Sequence, residues 1–111
     1  MNILFLCTAN INRSKSAEVL FTNIGDNNTY KSAGLSAKYT AMNDSQLCTE
    51  ELLEWADKVF VFEKMHLDRI IEYTGDKFLR KISNIDIEDR YQFMDQELVR
   101  LLKLKLLPLV L

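Results

Sequence analysis

The stretch Ile3-Leu4-Phe5-Leu6-Cys7-Thr8-Ala9-Asn10-Ile11-Asn12-Arg13-Ser14 determines how the rest of the chain is interpreted. Its first four residues form a continuous apolar run, which is typical of a strand buried on both faces of a parallel sheet. After Ser14, apolar residues recur at helical spacing over 17–24. We therefore predict a strand, a tight loop and a helix whose start is capped by Ser14 and whose end is set by Gly25.

The rest of the chain continues this alternation of strands and helices. We predict further strands over 30–33, 58–62 and 81–85, and further helices over 49–56, 63–73 and 95–107. Thr49 and Asp95 are the predicted N-caps, and Pro108 is predicted to end the last helix because it lacks a backbone N–H. Residues 35–45 show little periodicity and are predicted to form a loop. The alternation predicts βαβ units and one four-stranded parallel sheet with helices on both faces.

Composition limits the class of protein. The chain has 111 residues, of which 48% are hydrophobic and 27% charged, and its formal net charge is −2. These values are ordinary for one globular domain, 1–111, and we expect neither nucleic acid nor a membrane surface as a partner. The apolar segments are too short for a signal peptide or a spanning helix, so we expect a cytoplasmic protein with two free thiols. A single histidine argues against a structural zinc site.

The loop between the first strand and helix carries groups suited to phosphoryl chemistry. Such a loop gathers backbone N–H groups around one point, where an oxyanion can bind, and it lies at the carboxyl end of a parallel sheet. Cys7 is expected to be a thiolate nucleophile there, although a cysteine at the end of a strand can also be a small core residue. Arg13 can bind two phosphate oxygens at once. Ser14 can donate a hydrogen bond to the sulfur, and Asn10 can adopt the left-handed conformation that braces the loop.

The same stretch resembles the opening of the low-molecular-weight protein tyrosine phosphatases. Their signature is a C-x5-R-[ST] loop that contains Asn-Ile and is followed by Ala-Glu, as at Ala17-Glu18 here. Weaker similarities follow at Ser32-Ala33-Gly34, at 55–62 and at Asp89-Arg90-Tyr91, where the family has Asp-Pro-Tyr. The resemblance implies a three-layer α/β/α domain of the flavodoxin-like type, with the strand order 2-1-3-4 in its four-stranded parallel sheet.

The resemblance also implies roles for the matching residues. Cys7 would form a phosphocysteine intermediate, Asp89 would protonate the leaving group, and Tyr91 would line the pocket rim. Ile11 favours an aryl phosphate, because relatives that act on phosphoarginine carry threonine there. The phosphate would be bound by Thr8, Ala9, Asn10, Ile11, Asn12, Arg13 and Ser14. The prediction is a protein tyrosine phosphatase that acts on a phosphorylated protein or a small aryl phosphate and needs neither cofactor nor metal.

Two departures from the family pattern and a second cysteine leave alternatives open. Asn12 stands where many members have a second loop cysteine, so their local disulfide cannot form here. Arg90 replaces the proline beside the expected acid, which leaves Asp86 as a competing acid. Cys48 could be a resolving thiol in an arsenate reductase-like enzyme, or a half-buried packing residue. A non-catalytic module that binds phosphate or phosphoproteins is the third alternative.

The remaining candidate residues have simpler interpretations. His66 lies among charged residues of a predicted helix, and we predict that it is on the surface. Tyr39 is expected in a surface loop, with a position at the pocket rim as the alternative, while Trp55 and Phe60 are expected in the core. The leucines of the last helix are expected to cover the sheet, and any excess would form a dimer contact. The prediction is a monomer or a weak homodimer.

Overall fold

The computed structural model describes residues 1–110, so that Leu111, the last residue of the predicted domain, lies outside the described residues. The elements are β1 (Asn2–Cys7), α1 (Arg13–Thr22), β2 (Thr29–Gly34), α2 (Ala37–Met42), α3 (Glu50–Trp55), β3 (Lys58–Val61), α4 (Lys64–Thr74), a 3₁₀ turn (Leu79–Lys81), β4 (Ile82–Asn84) and α5 (Gln96–Val110). The four strands form one parallel sheet in the order β2-β1-β3-β4. The predicted sheet and strand order are confirmed.

Strand β1 is central and buried on both faces, as its apolar run predicts. Phe5 contributes to a cluster on one face together with Phe21 of α1 and Leu102 of α5. Leu4 contributes to a second cluster on the opposite face together with Ile70 of α4. Each fully buried side chain of this size stabilises the fold by about 1.5–3 kcal/mol. The two clusters confirm that helices cover both faces of the sheet.

Helix α1 begins and ends differently from the prediction. Its N-cap is Asn12, whose side chain makes no capping hydrogen bond, so the prediction that Ser14 caps the helix is wrong. Ser14 lies inside the first turn and is completely buried, because its hydroxyl is used at the loop described below. The helix ends at Thr22, and Gly25 lies three residues later with a positive φ of 78°.

Two further predictions about secondary structure are wrong. Part of the predicted loop over 35–45 is helix α2. The Ser36 side chain caps the start of this helix by accepting a hydrogen bond from the amide of Tyr39. Six residues are too few for a periodic apolar face to appear in the sequence. Pro108 lies inside α5 and does not end it. Because Pro108 has no N–H, the carbonyl of Leu104 loses its helical hydrogen bond, but Leu104 is exposed and water can bind there. Val110, beyond the proline, stays buried in the core.

Other helix boundaries follow the prediction. Thr49 caps α3 by accepting a hydrogen bond from the amide of Leu52. Asp95 accepts hydrogen bonds from the amides of Glu97 and Leu98 at the start of α5. Within residues 1–110, no helix is long and apolar enough to cross a membrane.

The carboxyl ends of the strands bring several loops together. The amide of Leu35 after β2 donates to the carbonyl of Cys7, at 2.9 Å, and the amide of Ile87 donates to the carbonyl of Phe62 after β3, at 3.0 Å. Gly34 permits the first approach, because a Cβ at this position would lie 2.6 Å from the carbonyl oxygen of Thr8. The loop after β1 is therefore enclosed by segments that follow β2, β3 and β4.

Candidate active site

Cys7, the last residue of β1, is buried and lies within hydrogen-bond distance of a serine hydroxyl. Its Sγ lies 2.9 Å from Oγ of Ser14, and Ser14 Oγ accepts a hydrogen bond of 2.8 Å from the side-chain amide of Asn10. Because the Asn10 amide occupies a lone pair of Oγ, the hydroxyl proton is directed to an acceptor. Two acceptors lie near this hydroxyl, and the sulfur at 2.9 Å is closer than the carbonyl oxygen of Ala33 at 3.5 Å. The Ser14 hydroxyl is therefore oriented to donate a hydrogen bond to the sulfur. Asn10 has φ 57°, the left-handed conformation expected for it.

The loop of residues 8–12 has its carbonyls bound from outside. The amide of Ser36 donates to the carbonyl of Thr8 at 3.1 Å, and the hydroxyl of Ser45 donates to the carbonyl of Ala9. The amide of Ser16 donates to the carbonyl of Asn12 at 2.9 Å. Among residues 1–110, the amides of 8–12 have no acceptor. The loop therefore presents a row of free N–H groups, which is an anion-binding arrangement.

Arg13 is buried, and one part of its guanidinium group contacts structural partners while the other part faces the site. Its Nη1 donates to the carboxylate of Glu63 and to the carbonyl of Ile87, each at 2.8 Å. Its guanidinium carbon lies 5.7 Å from the ring centre of Phe62. Within the described part of the chain, Nε and Nη2 have no hydrogen-bond partner. The guanidinium is thus fixed in place while one edge with two N–H groups stays available for an oxyanion.

A cavity of about 370 Å³ lies above the sulfur and contains most of the predicted site residues. It is lined by Cys7, Thr8, Ala9, Ile11, Asn12, Arg13, Tyr39, Asn43, Met65 and Asp89. Asp89 lies with a carboxylate oxygen 3.7 Å from Nη2 of Arg13, and its side chain is 61% exposed. Asp86 is bonded to Asn84 instead and does not line this cavity.

The aromatic side chain at this cavity is Tyr39, and Tyr91 lies elsewhere. Tyr91 packs against the core cluster that includes α1 and α5 and is not among the residues that line the cavity. Tyr39 is brought to the cavity by α2, the helix that the sequence did not predict. The helix cap at Ser36 was the one local sequence signal that could have placed it.

His66 is not on the surface, and that prediction is wrong. The side chain is buried at the start of α4, and burial together with the nearby charge of Arg13 lowers the pKa of its ring to about 4. Its Nδ1 accepts hydrogen bonds from the amides of Phe62 and Glu63, and its Nε2 bonds to the hydroxyl of Thr8 at 3.1 Å. The Glu63-x-x-His66 spacing is that of a helix capping box, which is the signal that could have indicated it.

Cys48 lies apart from Cys7. It lines a separate, mainly apolar cavity of about 300 Å³ next to Leu47 and Leu53, and burial raises the pKa of its thiol to about 12. Cys48 does not line the cavity above Cys7, where a resolving thiol would have to attack an adduct formed on Cys7. Among residues 1–110, no group of three His, Cys, Asp or Glu side chains could hold a metal ion.

The first half of the chain matches a known family in sequence. Residues 2–52 match the sequence model of the low molecular weight phosphotyrosine protein phosphatases, and this segment includes the whole loop with Cys7 and Arg13. No curated protein matches the chain in sequence. The predicted resemblance is confirmed, and it supports a cysteine-based phosphatase that acts on phosphorylated substrates.

Solved structures match the fold over nearly the whole chain. A cysteine-to-serine mutant of YwlE arginine phosphatase with a phosphorylated active-site serine is 24% identical, with a TM-score of 0.73 over 93% of this chain and 91% of that one. A low molecular weight phosphotyrosine phosphatase from Vibrio cholerae is 18% identical, with a TM-score of 0.76 over 99% and 94%. Vibrio vulnificus Wzb in complex with benzylphosphonate is 22% identical, with a TM-score of 0.70 over 93% and 90%. These similarities establish the flavodoxin-like α/β/α fold of this family.

Proposed function

We propose, from the match of residues 2–52 to the low molecular weight phosphotyrosine protein phosphatases, that this chain hydrolyses phosphotyrosine through a phosphocysteine on Cys7. The observation that carries the proposal is the 2.9 Å contact between Cys7 Sγ and Ser14 Oγ at a cavity that Arg13 and Asp89 share. A buried core cysteine would have neither a charged partner across a cavity nor a row of free amides beside it.

In the first step the thiolate of Cys7 attacks phosphorus, so that an S–P bond forms as the P–O bond to the leaving group breaks. The amides of 8–12 and the free edge of Arg13 bind the three non-bridging oxygens, and these bonds strengthen as charge accumulates in the transition state. Asp89 transfers its proton to the leaving oxygen. Because Asp89 lies 3.7 Å from Nη2 of Arg13, it is within reach of an anion bound by that arginine.

In the second step water attacks the phosphocysteine and Asp89 accepts its proton. The S–P bond breaks, and the sulfur leaves as a thiolate that the Ser14 hydroxyl stabilises. Orthophosphate is released and Asp89 is again protonated. Apart from the substrate and one water molecule, both steps balance with groups of this chain.

The rim of the cavity supports an aryl phosphate as the substrate. Ile11, Tyr39 and Met65 line it, and all three are partly exposed apolar or aromatic side chains around the polar base of the cavity. A flat ring can stack or pack against such a rim while its phosphate reaches the loop. We propose a phosphorylated tyrosine of a protein as the substrate, with small aryl phosphates as substitutes.

We also propose a location, a domain organisation and an assembly for this chain. A free Cys7 is required, which suits the reducing cytoplasm, and both cysteines are unpaired in the structure. We propose one catalytic domain over 1–111 that acts as a monomer or a weak homodimer. Exposed leucines of α5, Leu104 and Leu109, are the candidate contact for a weak dimer.

The test is turnover of p-nitrophenyl phosphate by the wild type and by Cys7→Ser, followed by a panel of phosphotyrosine, phosphoserine and phosphoarginine peptides. We expect turnover that Cys7→Ser abolishes while orthophosphate binding remains, and a preference for the phosphotyrosine peptide. Unchanged turnover in Cys7→Ser contradicts the mechanism. Phosphate binding without turnover between about pH 5 and pH 7, where a general acid must work, favours a binding module. A preference for phosphoarginine contradicts the proposed substrate only.

A further inference from the structure

The ring of His66 is bonded at both nitrogens, which fixes its tautomer. Nδ1 faces the amides of Phe62 and Glu63, at 3.3 and 3.1 Å, and both of these groups are donors. Nδ1 must therefore be unprotonated, and the single proton of the neutral ring lies on Nε2. Nε2–H then donates to Oγ1 of Thr8 at 3.1 Å.

The charges that face the ring keep it neutral. Arg13 lies on the side of the loop and Arg69 on α4 itself, and both disfavour a second proton, while Glu63 and Asp89 favour one. Burial has the largest effect and also disfavours the charged form. The ring is thus a fixed hydrogen-bond donor to Thr8 over the pH range in which the phosphatase would work.

Thr8 lies between His66 and the cavity above Cys7. It is the first residue after the nucleophile, and it lines both that cavity and a smaller niche of about 140 Å³ beside His66. Its Oγ1 accepts from His66 and has no other partner among residues 1–110. The hydroxyl proton is therefore free, and with Oγ1 already used as an acceptor it is available to an oxygen atom bound in the cavity.

We propose that His66 is a positioning residue for phosphate binding: it holds the Thr8 side chain in place through Nε2–H, so that the Thr8 hydroxyl donates to a phosphate oxygen. The proposal deepens the proposed function and rests on it for the identity of the anion. The sequence pattern gave no indication of this pair, because the two residues are 58 positions apart. The hydroxyl contact exists in the ground state as well as in the transition state, so its loss should raise KM more than it lowers kcat.

Matched substitutions separate this role from a structural one. In His66→Asn the side-chain oxygen can replace Nδ1 as the acceptor of the two amides but cannot reach Thr8. In His66→Gln the side-chain amide can reach Thr8 but does not replace Nδ1. We expect His66→Asn to lose about tenfold in kcat/KM, mainly through KM, because a hydrogen bond to a charged oxygen is lost. We expect His66→Gln to keep kcat/KM within about twofold while its melting temperature falls.

Thr8 provides the second arm of the experiment. Thr8→Val removes the hydroxyl at equal volume and should reproduce the tenfold loss, whereas Thr8→Ser should restore most of it. Because His66 acts through Thr8, the double variant His66→Asn with Thr8→Val should be no worse than either single variant. Losses that multiply in the double variant, or wild-type KM in folded His66→Asn, overturn the proposal.

A spectroscopic measurement on the wild type does not depend on how the His66 variants fold. His66 is the single histidine of the chain, so its ¹⁵N imidazole signals are unambiguous. We expect the Nε2–H tautomer at pH 7 and a change in the Nε2 signal when orthophosphate is added, and Thr8→Val should abolish that change. The Nδ1–H tautomer, or an equal response in Thr8→Val, overturns the proposal. A chain that shows the coupling without turnover contradicts the proposed activity and leaves the positioning role intact.

Discussion

The loop of residues 7–14 and the segment of residues 85–95 supply the two halves of the proposed chemistry, and they are held in very different ways. In the loop, Cys7, Arg13 and Ser14 are buried, and each bonds to a partner less than 3 Å away. In the segment, Asp89 is mostly exposed and its one ion pair spans 3.7 Å. Arg90 forms an ion pair with Glu88, which is also exposed.

The difference follows from what each half has to do. Groups that stabilise developing charge work best when they are already oriented and need not reorganise during the reaction. A proton donor must instead approach a leaving group and later a water molecule, so some freedom is acceptable. The segment is held on both sides of Asp89, because the amide of Ile87 donates to Phe62, the amide of Met94 donates to Ser16, and Tyr91 packs against the core, while Asp89 itself stays exposed.

The largest effect is expected where the rigid half is altered at Arg13. Arg13→Lys keeps the charge but removes the planar edge that binds two oxygens, and we expect kcat/KM to fall by about 10²–10³-fold. Steady-state kinetics with p-nitrophenyl phosphate measure it. Arg90→Lys, a change at an exposed arginine of the segment, is the control and should stay within twofold. An equal loss in both variants would show that the two halves are not distinct.

The half with the exposed acid is tested at Asp89. Asp89→Asn removes the transferable proton, and we expect kcat to fall by about 10²-fold while orthophosphate binds as before. The fall should be larger with phenyl phosphate than with p-nitrophenyl phosphate, because nitrophenolate leaves without help. Asp86→Asn, three residues earlier, should have little effect. If Asp86→Asn produces the loss instead, the acid is assigned to the wrong residue.

A substitution at Gly34, which lies against the loop, should displace the loop. In Gly34→Ala the new Cβ would lie 2.6 Å from both the Thr8 carbonyl oxygen and Cγ2 of Thr40, so the loop must move. We expect a loss of about 3 kcal/mol in the free energy of unfolding and a lower kcat/KM. Urea unfolding measures the first quantity. Gly25→Asn is the control, because nothing lies within 4 Å of that position and asparagine tolerates its positive φ. A fully active and stable Gly34→Ala would mean that the loop is not held by this contact.

The smallest expected effect is a pH dependence of stability that comes from His66. The ring has a pKa of about 4 in the folded protein and 6.5 as the ordinary value, so the unfolded chain binds more protons between these limits. Stability from this group is complete above pH 6.5 and falls as the pH falls toward 4, by about 2 kcal/mol between pH 7 and pH 5. Urea unfolding of the wild type and His66→Gln at both pH values isolates it. Equal pH dependences in the two proteins would contradict a buried neutral ring.

Local patterns were sufficient for most of the fold. The apolar run of β1, the cap at Thr49 and the alternation of elements depend on neighbouring residues, and each was confirmed. The errors occurred where tertiary packing outweighs local preference. Pro108 is tolerated in α5 because core contacts continue to Val110, and Ser14 does not cap α1 because its hydroxyl serves the sulfur.

By itself the sequence determined the loop with Cys7, Arg13 and Ser14, because eight consecutive residues between a strand and a helix cannot be far apart. Only the tertiary structure decided what surrounds that loop. Glu63 hydrogen-bonds to Arg13 across 50 positions and His66 to Thr8 across 58, while Tyr39 lies on α2, a helix too short to show an apolar periodicity. Such contacts depend on the order in which the strands pair and on the burial that follows. A side chain's neighbours in the sequence therefore carry almost no information about them.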